Sequence, residues 1–500
     1  MPDIHQLDGG TAPVNLGGGY TLRAPGLKGS ARVLGTRAPG SRGPEQATED
    51  FDRAFADAGI EEVTAIELAV SSSPFPRAAA PLRGPDGAYA FELRVPDLGP
   101  DYGQVVLAID EQGAMHWHFA VDDERKLQPS ISRSAGGGRT FLIPREVATP
   151  PAAASTASPG ARGLVSFVGR KLLKVLIYPV TDTLLGPLTD FAVGRWEAHR
   201  RPHRVRHFVP GNDAVLTPTD WQALAGGPAL LFVHGTFSTA RSAFGGIPGA
   251  TLETLAARYG GRLFAFEHPT LSQHPRDNAR WFFSQMPAGV ALEVDIVCHS
   301  RGGLLSRCLA GCAADYGIDP ARFRVRRLVL AGVPNQGTLL ANPEHMVSFL
   351  DRMTTALNVF PDNGVSDVME GLLTIVKVAG HAGLTGLEGL ASMCPGNEFL
   401  DELDRAALSD CTLFGLGGDF EPAGSGLGAA FCSAADSLID RVFDDAPNDL
   451  VVPAAGMRNW NGALHIADER FLDFPASRGV MHTSYFSQPE TSVSLLKWLQ

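Results

Sequence analysis

Short, continuous apolar runs punctuate the C-terminal half of the chain, whereas alternating patterns fill the N-terminal part. Ala229-Leu-Leu-Phe-Val233, the β-branched run of Val294, Ile296 and Val297, Arg327-Leu-Val-Leu-Ala331 and Thr412-Leu-Phe-Gly-Leu416 carry little polar alternation. Such runs are expected of parallel strands buried on both faces. After Ser300, the residues Leu305, Cys308, Leu309 and Cys312 recur at spacings of three and four, which predicts a helix that stops near Gly317. Ser492 to Leu499 predicts a closing amphipathic helix. Nearer the N-terminus, Glu62–Val70, Ala88–Val95 and Gln104–Ile109 read as strands between Gly/Pro turns. Ala114–Val121 alternates so that Met115, Trp117, Phe119 and Val121 share one face, leaving His116 and His118 on the other as expected surface residues. The pattern predicts an α/β fold, a mostly parallel sheet flanked by helices, preceded by a smaller β-rich domain.

Thr149-Pro-Pro-Ala-Ala-Ala-Ser-Thr-Ala-Ser-Pro-Gly160 is the clearest linker. The expected organisation is a β-rich domain over 1–148, a linker over 149–163, a connecting helical segment over 164–210, and an α/β domain over 211–500. An insertion at about 342–400 follows the Gly332–Gly337 loop. Its unusually apolar stretch Val368–Val378 and the Gly/Leu/Ala alternation of 380–393 suit either a helical cap or part of the core. The apolar run Val175-Leu-Ile-Tyr-Pro-Val-Thr181 is too short to span a bilayer, which takes about 20 apolar residues. A buried connecting helix is the expectation there. The alternative is peripheral membrane contact through 164–207, where Arg195–His207 is locally basic.

At 500 residues the chain exceeds one compact core. Its 19% charged and 44% hydrophobic residues are those of an ordinary globular protein, and a net charge of −12 argues against general nucleic-acid binding. The six cysteines show neither CxxC nor zinc spacing, so no metal and no cofactor are expected. Met1 is not followed by a charged-then-apolar leader, which points to a cytoplasmic, reduced location, membrane-peripheral if 164–207 touches lipid.

The candidate chemistry centres on Val294-Asp-Ile-Val-Cys-His-Ser-Arg-Gly-Gly-Leu-Leu305, which sets Ser300 at a strand-to-helix corner. There a serine hydroxyl stands clear of the sheet, with the N–H of Arg301 pointing into the same space and Gly302 allowing close passage of strand and helix. Upstream, Val233-His234-Gly235-Thr236 ends a buried strand, and the Thr236 N–H is a candidate second donor to an oxyanion, with His234 and Gly235 shaping the loop. Downstream, Asn448-Asp449-Leu-Val-Val-Pro453 places an acid in a turn, and His482 lies near the end of the chain. Asp419 is the strongest rival acid, while Asp444 and Asp445 read as a solvated turn. Of the other histidines, His465 reads as structural and the His299 side chain is expected to point away from the serine.

These pieces, with Gly332-Val-Pro-Asn-Gln-Gly337 between them, make residues 228–500 resemble the α/β-hydrolase superfamily, in particular its lipase/esterase-like serine hydrolases. The resemblance implies Ser300 as nucleophile, His482 as general base and then acid, Asp449 as its partner, and Thr236 and Arg301 as oxyanion donors. Cys298 departs from the glycine usual at that position of the elbow. The implied substrate is a small-molecule or lipid ester. The same residues would serve a thioesterase or amidase, and a third reading is a hydrolase-fold binding or scaffold protein whose N-terminal domain carries the role through its own protein partner.

Overall fold

The computed structural model describes residues 4–34, 55–56, 58–72, 90–99, 101–110, 115–121, 138–144, 169–179, 192–342, 345–359, 369, 372–373, 375–377, 387–406, 408, 411–420, 446–460 and 464–500. The expected linker at 149–163 and the Asp444–Asp445 turn lie outside them, as does much of 380–393.

The N-terminal strands are β1 (Ile4–Asp8), β2 (Val14–Gly17), β3 (Tyr20–Arg23), β4 (Lys28–Leu34), β5 (Glu61–Ser72), β6 (Ala90–Pro96), β7 (Tyr102–Asp110), β8 (Met115–His118), β9 (Gly138–Pro144) and β10 (Gly169–Pro179). They form a six-stranded sheet in the order β1-β4-β5-β10-β7-β8 and a four-stranded sheet in the order β2-β3-β6-β9. Leu22, Leu93, Phe141 and Ile143 of the smaller sheet bury against Ile66, Leu68, Val106, Ala108, Leu173 and Val175 of the larger one, making a sandwich. Side chains of opposite parity, Val105, Leu107, Met115, Trp117, Leu176 and Tyr178, emerge on the other face of the larger sheet. Tyr178 lies flat over Gly103, where a Cβ would stand 2.1 Å from the ring.

This arrangement corrects the expected helical segment at 164–210. Residues 169–179 are a central strand, antiparallel to both β5 and β7. Leu173 and Val175 bury on one face and Leu176 and Tyr178 on the other, so Val175–Tyr178 of the apolar run considered for lipid contact belongs to the interior of the sheet. Among the described residues of that stretch, α1 (Ala192–Arg200) is the helical part. The next strand, β11 (Arg204–His207), already belongs to the second large sheet.

That sheet comprises β11, β12 (Ala229–Val233), β13 (Leu263–Glu267), β14 (Leu292–His299), β15 (Phe323–Ala331), β16 (Thr412–Gly418) and β19 (Phe471–Phe474), while β17 (Asn459–Trp460) and β18 (Leu464–His465) pair as a small hairpin. Its order is β11-β13-β12-β14-β15-β16-β19, parallel throughout except for β11. Every residue of β12 and β13 is buried, because helices cover both faces. One face takes α2 (Gly249–Arg258) and the last helix, Pro489–Trp498, through Leu255, Leu495 and Trp498. The other takes α3 (Pro275–Ser284) and α4 (Gly302–Gly311) through Phe282, Leu304, Leu305 and Cys308. The helix after Ser300 ends earlier than expected, at Gly311, and a short 3-10 turn then runs to Gly317, whose φ of 76° provides the left-handed stop. A parallel sheet with helices on both sides and a serine at the corner after its central strand is the α/β-hydrolase architecture.

The insertion supplies α5 (Met346–Val359) and α6 (Glu388–Ala391). Met346, Leu350, Met353, Leu372, Ile375 and Val376 join the same apolar cluster as Met115, Trp117 and Tyr178. The described part of the insertion is thus packed between the parallel sheet and the N-terminal sandwich.

Candidate active site

The corner between β14 and α4 is held by backbone. The Ser300 N–H donates to the Ala331 carbonyl at 2.8 Å and the Gly303 N–H donates to the Ser300 carbonyl at 2.8 Å. Ser300 has φ 54°, a left-handed conformation that L-residues adopt only under constraint. A Cβ at Gly302 would lie 2.4 Å from the His234 carbonyl oxygen, and one at Gly235 would lie 2.6 Å from the Ser300 Cβ. The β12 loop and the elbow therefore touch at a separation that only glycine allows. Cys298 does not disturb this, because its side chain is directed into the sheet. Its Sγ donates to the Val329 carbonyl at 3.3 Å, and burial pushes the thiol up to about 12.

Asp449 and His482 meet at this corner. His482 Nδ1 lies 2.7 Å from Asp449 Oδ2, and the fully buried carboxylate is further held by the N–H groups of Val451 (3.1 Å) and Val452 (2.8 Å) on Oδ1. Tyr485 donates its hydroxyl to the same Oδ2 at 2.8 Å; burial, and then the adjacent Asp449, raise that phenol well above its usual range. With Nδ1 engaged, the opposite ring nitrogen of His482 is left to the cavity that Ser300 also lines. No hydrogen bond to the Ser300 hydroxyl is formed among the described residues. The rival Asp419 does not approach His482. It accepts from the Asn448 N–H at 3.0 Å and so steadies the turn that carries Asp449.

His299 corrects an expectation. Rather than pointing away, its Nε2 lies 2.8 Å from the His482 carbonyl oxygen and its ring 4.8 Å from the His482 ring. Burial, and next the neighbouring His482, hold His299 down to about 3, so the ring stays neutral. His465, exposed in its hairpin, bonds Asn459 instead.

The N–H groups of Thr236 and Arg301 find no acceptor among the described residues, and Thr236 lines the same cavity as Ser300. Two residues that the pattern of the sequence did not single out fix this loop. Glu197, fully buried on α1, accepts from the N–H groups of Thr270 (2.6 Å), Leu271 (2.8 Å) and Ser272 (2.8 Å). Thr270 Oγ1 in turn accepts from the Phe237 N–H at 3.3 Å. Phe237, at φ 60°, and Leu450, at φ 82°, are the other described non-glycine residues with left-handed backbone, so all three strained positions border the site. His234 donates toward the Gly235 carbonyl (3.0 Å) and stacks on His268. The Arg301 side chain is fully buried and bridges the Gln273 and Gly389 carbonyls; burial brings its guanidinium down to about 10, still charged at neutral pH.

The cavity is walled chiefly by apolar side chains: Phe237 from the β12 loop, Leu340 just before the insertion, Met346, Met353 and Met393 from the insertion, and Val452. It suits a hydrocarbon-bearing substrate presented to one hydroxyl. His116 and His118 lie away from it and are half-buried, not the open surface residues expected: His116 Nδ1 is 3.2 Å from Asp351 Oδ2, and burial lowers His118 well below its usual range. Among the described residues no group of three or more His, Cys, Asp or Glu side chains is placed to hold a metal ion, and no helix is long and apolar enough to cross a membrane.

Known structures similar to this one include phospholipase PlaB from Legionella pneumophila, at 16% identity and a TM-score of 0.31 over 46% of each chain. Lipase 1 from Pelosinus fermentans is 12% identical with a TM-score of 0.35, over 54% of this chain and 98% of that one. Carboxylesterase CesB (YbfK) from Bacillus subtilis is 14% identical with a TM-score of 0.28, over 55% of this chain and 84% of that one. The chain thus spans less than half the length of the phospholipase. No curated protein matches the chain significantly. A family model described as a domain of unknown function, DUF7379, matches residues 198–500, well over half of the sequence, and the chain belongs to that family.

Proposed function

We propose that this protein is a serine hydrolase that cleaves carboxylic esters, with a lipid-like acyl group in the apolar cavity. The observation that carries the reading is the 2.7 Å pairing of Asp449 with His482 beside a serine held at φ 54° in the same cavity. A serine hydroxyl needs an adjacent base to act as a nucleophile at neutral pH, and a neutral imidazole oriented through Nδ1 offers that base at Nε2. Ser300 Oγ attacks the ester carbonyl while His482 Nε2 takes its proton. The resulting oxyanion accepts from the N–H groups of Thr236 and Arg301, whose want of an acceptor among the described residues leaves both donors available. His482 then protonates the leaving alcohol, giving an acyl-Ser300 intermediate. Water, deprotonated by the same histidine, attacks that intermediate and releases the acid and the free serine. Asp449 keeps the imidazole in one tautomer and stabilises the imidazolium.

The test is labelling by a small fluorophosphonate with p-nitrophenyl ester turnover alongside. Wild type should label and hydrolyse at least one ester. Ser300→Ala should lose labelling altogether and lose turnover by at least about 1000-fold. A folded wild type that neither labels nor turns over any ester would reject the reading.

A further inference from the structure

The helix α5 has two working faces. Met346 and Met353 line the cavity beside Ser300 and His482. Asp351, Thr354 and Thr355, at helical spacing on another face, are hydrogen-bonded to β8, the edge strand of the N-terminal sandwich. Asp351 accepts from the Trp117 N–H at 2.7 Å, Thr354 Oγ1 from Trp117 Nε1 at 2.9 Å, and Thr355 Oγ1 from the Met115 N–H at 3.0 Å. Thr355 also donates its hydroxyl to the Met115 carbonyl, at 3.3 Å. An edge strand normally presents such backbone groups to water or to another strand. Here β8 spends them on side chains of a helix more than two hundred residues away in sequence. A second tie lies nearby: the Tyr178 hydroxyl donates to the Lys377 carbonyl at 2.8 Å, and Lys377 Nζ donates to the Ala58 carbonyl.

We propose that the N-terminal sandwich fixes one wall of the substrate cavity and thereby sets the acyl-chain selectivity of the site, with Trp117, Asp351 and Thr354 as positioning residues. This rests on the ester-hydrolase reading for its substrate class. The polar bonds matter because the apolar contacts around them are not directional. Met and Leu side chains would keep α5 against the sheet at many rotations and heights. A carboxylate on a backbone N–H and a hydroxyl on an indole N–H allow one. The bonds to Thr354 and Thr355 are buried and that to Asp351 is partly so, and a shift of α5 would leave their donors and acceptors unpaired. The position of Met346 and Met353 relative to Ser300 is therefore set from outside the catalytic sheet.

The experiment uses the full chain. Trp117→Phe keeps a ring and removes the Nε1 donor; Thr354→Val keeps the shape and removes its acceptor; Asp351→Asn weakens the bond to the Trp117 N–H; Thr354→Ser restores the hydroxyl. Two quantities are read for each: kcat and KM for p-nitrophenyl acetate and decanoate, and the Kd for cis-parinaric acid, which reports the acyl wall without chemistry. In the first three variants we expect the decanoate KM and the parinarate Kd to rise about tenfold, the value of one buried hydrogen bond, with the acetate KM much less affected. Thr354→Ser should return toward wild type. Folded variants whose decanoate-to-acetate ratio and parinarate Kd stay within about twofold of wild type overturn the proposal. If wild type hydrolyses neither ester yet binds parinarate, and the variants weaken that binding, the hydrolase reading fails and the assignment of the wall stands. A wild type that does neither overturns both.

Discussion

At the scale of single residues, Asp449 and Asp419 show how two acids near one histidine come to differ. Asp449 is fully buried with its oxygens shared among His482, Tyr485 and two backbone N–H groups, while the Asp419 carboxylate, among the described residues, accepts from the Asn448 N–H alone. Asp449→Asn should therefore lower kcat about 1000-fold or more with little change in KM, and Asp419→Asn by no more than about tenfold. Equal losses from both would reject the assignment. Tyr485→Phe removes one of the two donors on Asp449 Oδ2 and should cost kcat about tenfold while leaving KM alone, since the phenol hydroxyl meets Asp449 and the Met457 sulfur and does not line the cavity. Ser300, Asp449 and His482 were legible because each sits in a short local motif whose order along the chain is informative. Glu197 and Tyr485 were not. A glutamate inside a basic run and a tyrosine beside a histidine carry no local pattern, and what they do depends on loops that only the folded chain brings near.

Elements are legible where an apolar run is unbroken and poorly legible where charged residues interrupt it. The strands of the parallel sheet announced themselves as unbroken apolar runs, since helices cover both sides. Strand β10 is also buried on both faces, by the sandwich interior and by the cap side. It therefore lost the alternation that would have marked it, and with Arg170, Lys171 and Lys174 at nearly helical spacing it read as a helix. Its lysine at 174 is accommodated by Glu62 on the neighbouring strand, 3.0 Å away. At the elbow, the element that tolerates least is the start of α4. A Cβ at Gly303 would lie 2.3 Å from Val333, so Gly303→Ala should destabilise the protein by about 2 kcal/mol or more and lower activity with it. Cys298→Ala, which removes a sulfur lodged against β15, should cost no more than about 1–2 kcal/mol and leave the elbow working. Chemical denaturation of the two variants measures the difference. A Cys298→Ala variant less stable than Gly303→Ala would mean that the corner is held by the strand and not by the helix start.

On the scale of the whole molecule, the packing that joins sandwich, insertion and parallel sheet encloses several histidines that stay neutral. His268 is enclosed beside His234, and His299 beside His482; burial lowers both, His299 to about 3 and His268 well below its usual range. The less enclosed His203 and His274 are shifted in the same direction, His274 to about 4. In the unfolded chain each would take up its proton near pH 6.5. Between that pH and the folded values the unfolded state binds more protons, so stability is complete above about pH 6.5 and declines as the pH falls. For a fully enclosed histidine the slope approaches about 1.4 kcal/mol per pH unit. Urea midpoints at pH 7, 6 and 5 should therefore fall steadily, before most carboxylates begin to titrate. His299→Gln, which retains a donor for the His482 carbonyl, should lessen that fall by close to one proton's worth while it lowers stability at pH 7. A pH dependence as steep in His299→Gln as in wild type would mean that His299 is protonated in the folded state, and that solvent reaches the back of the site.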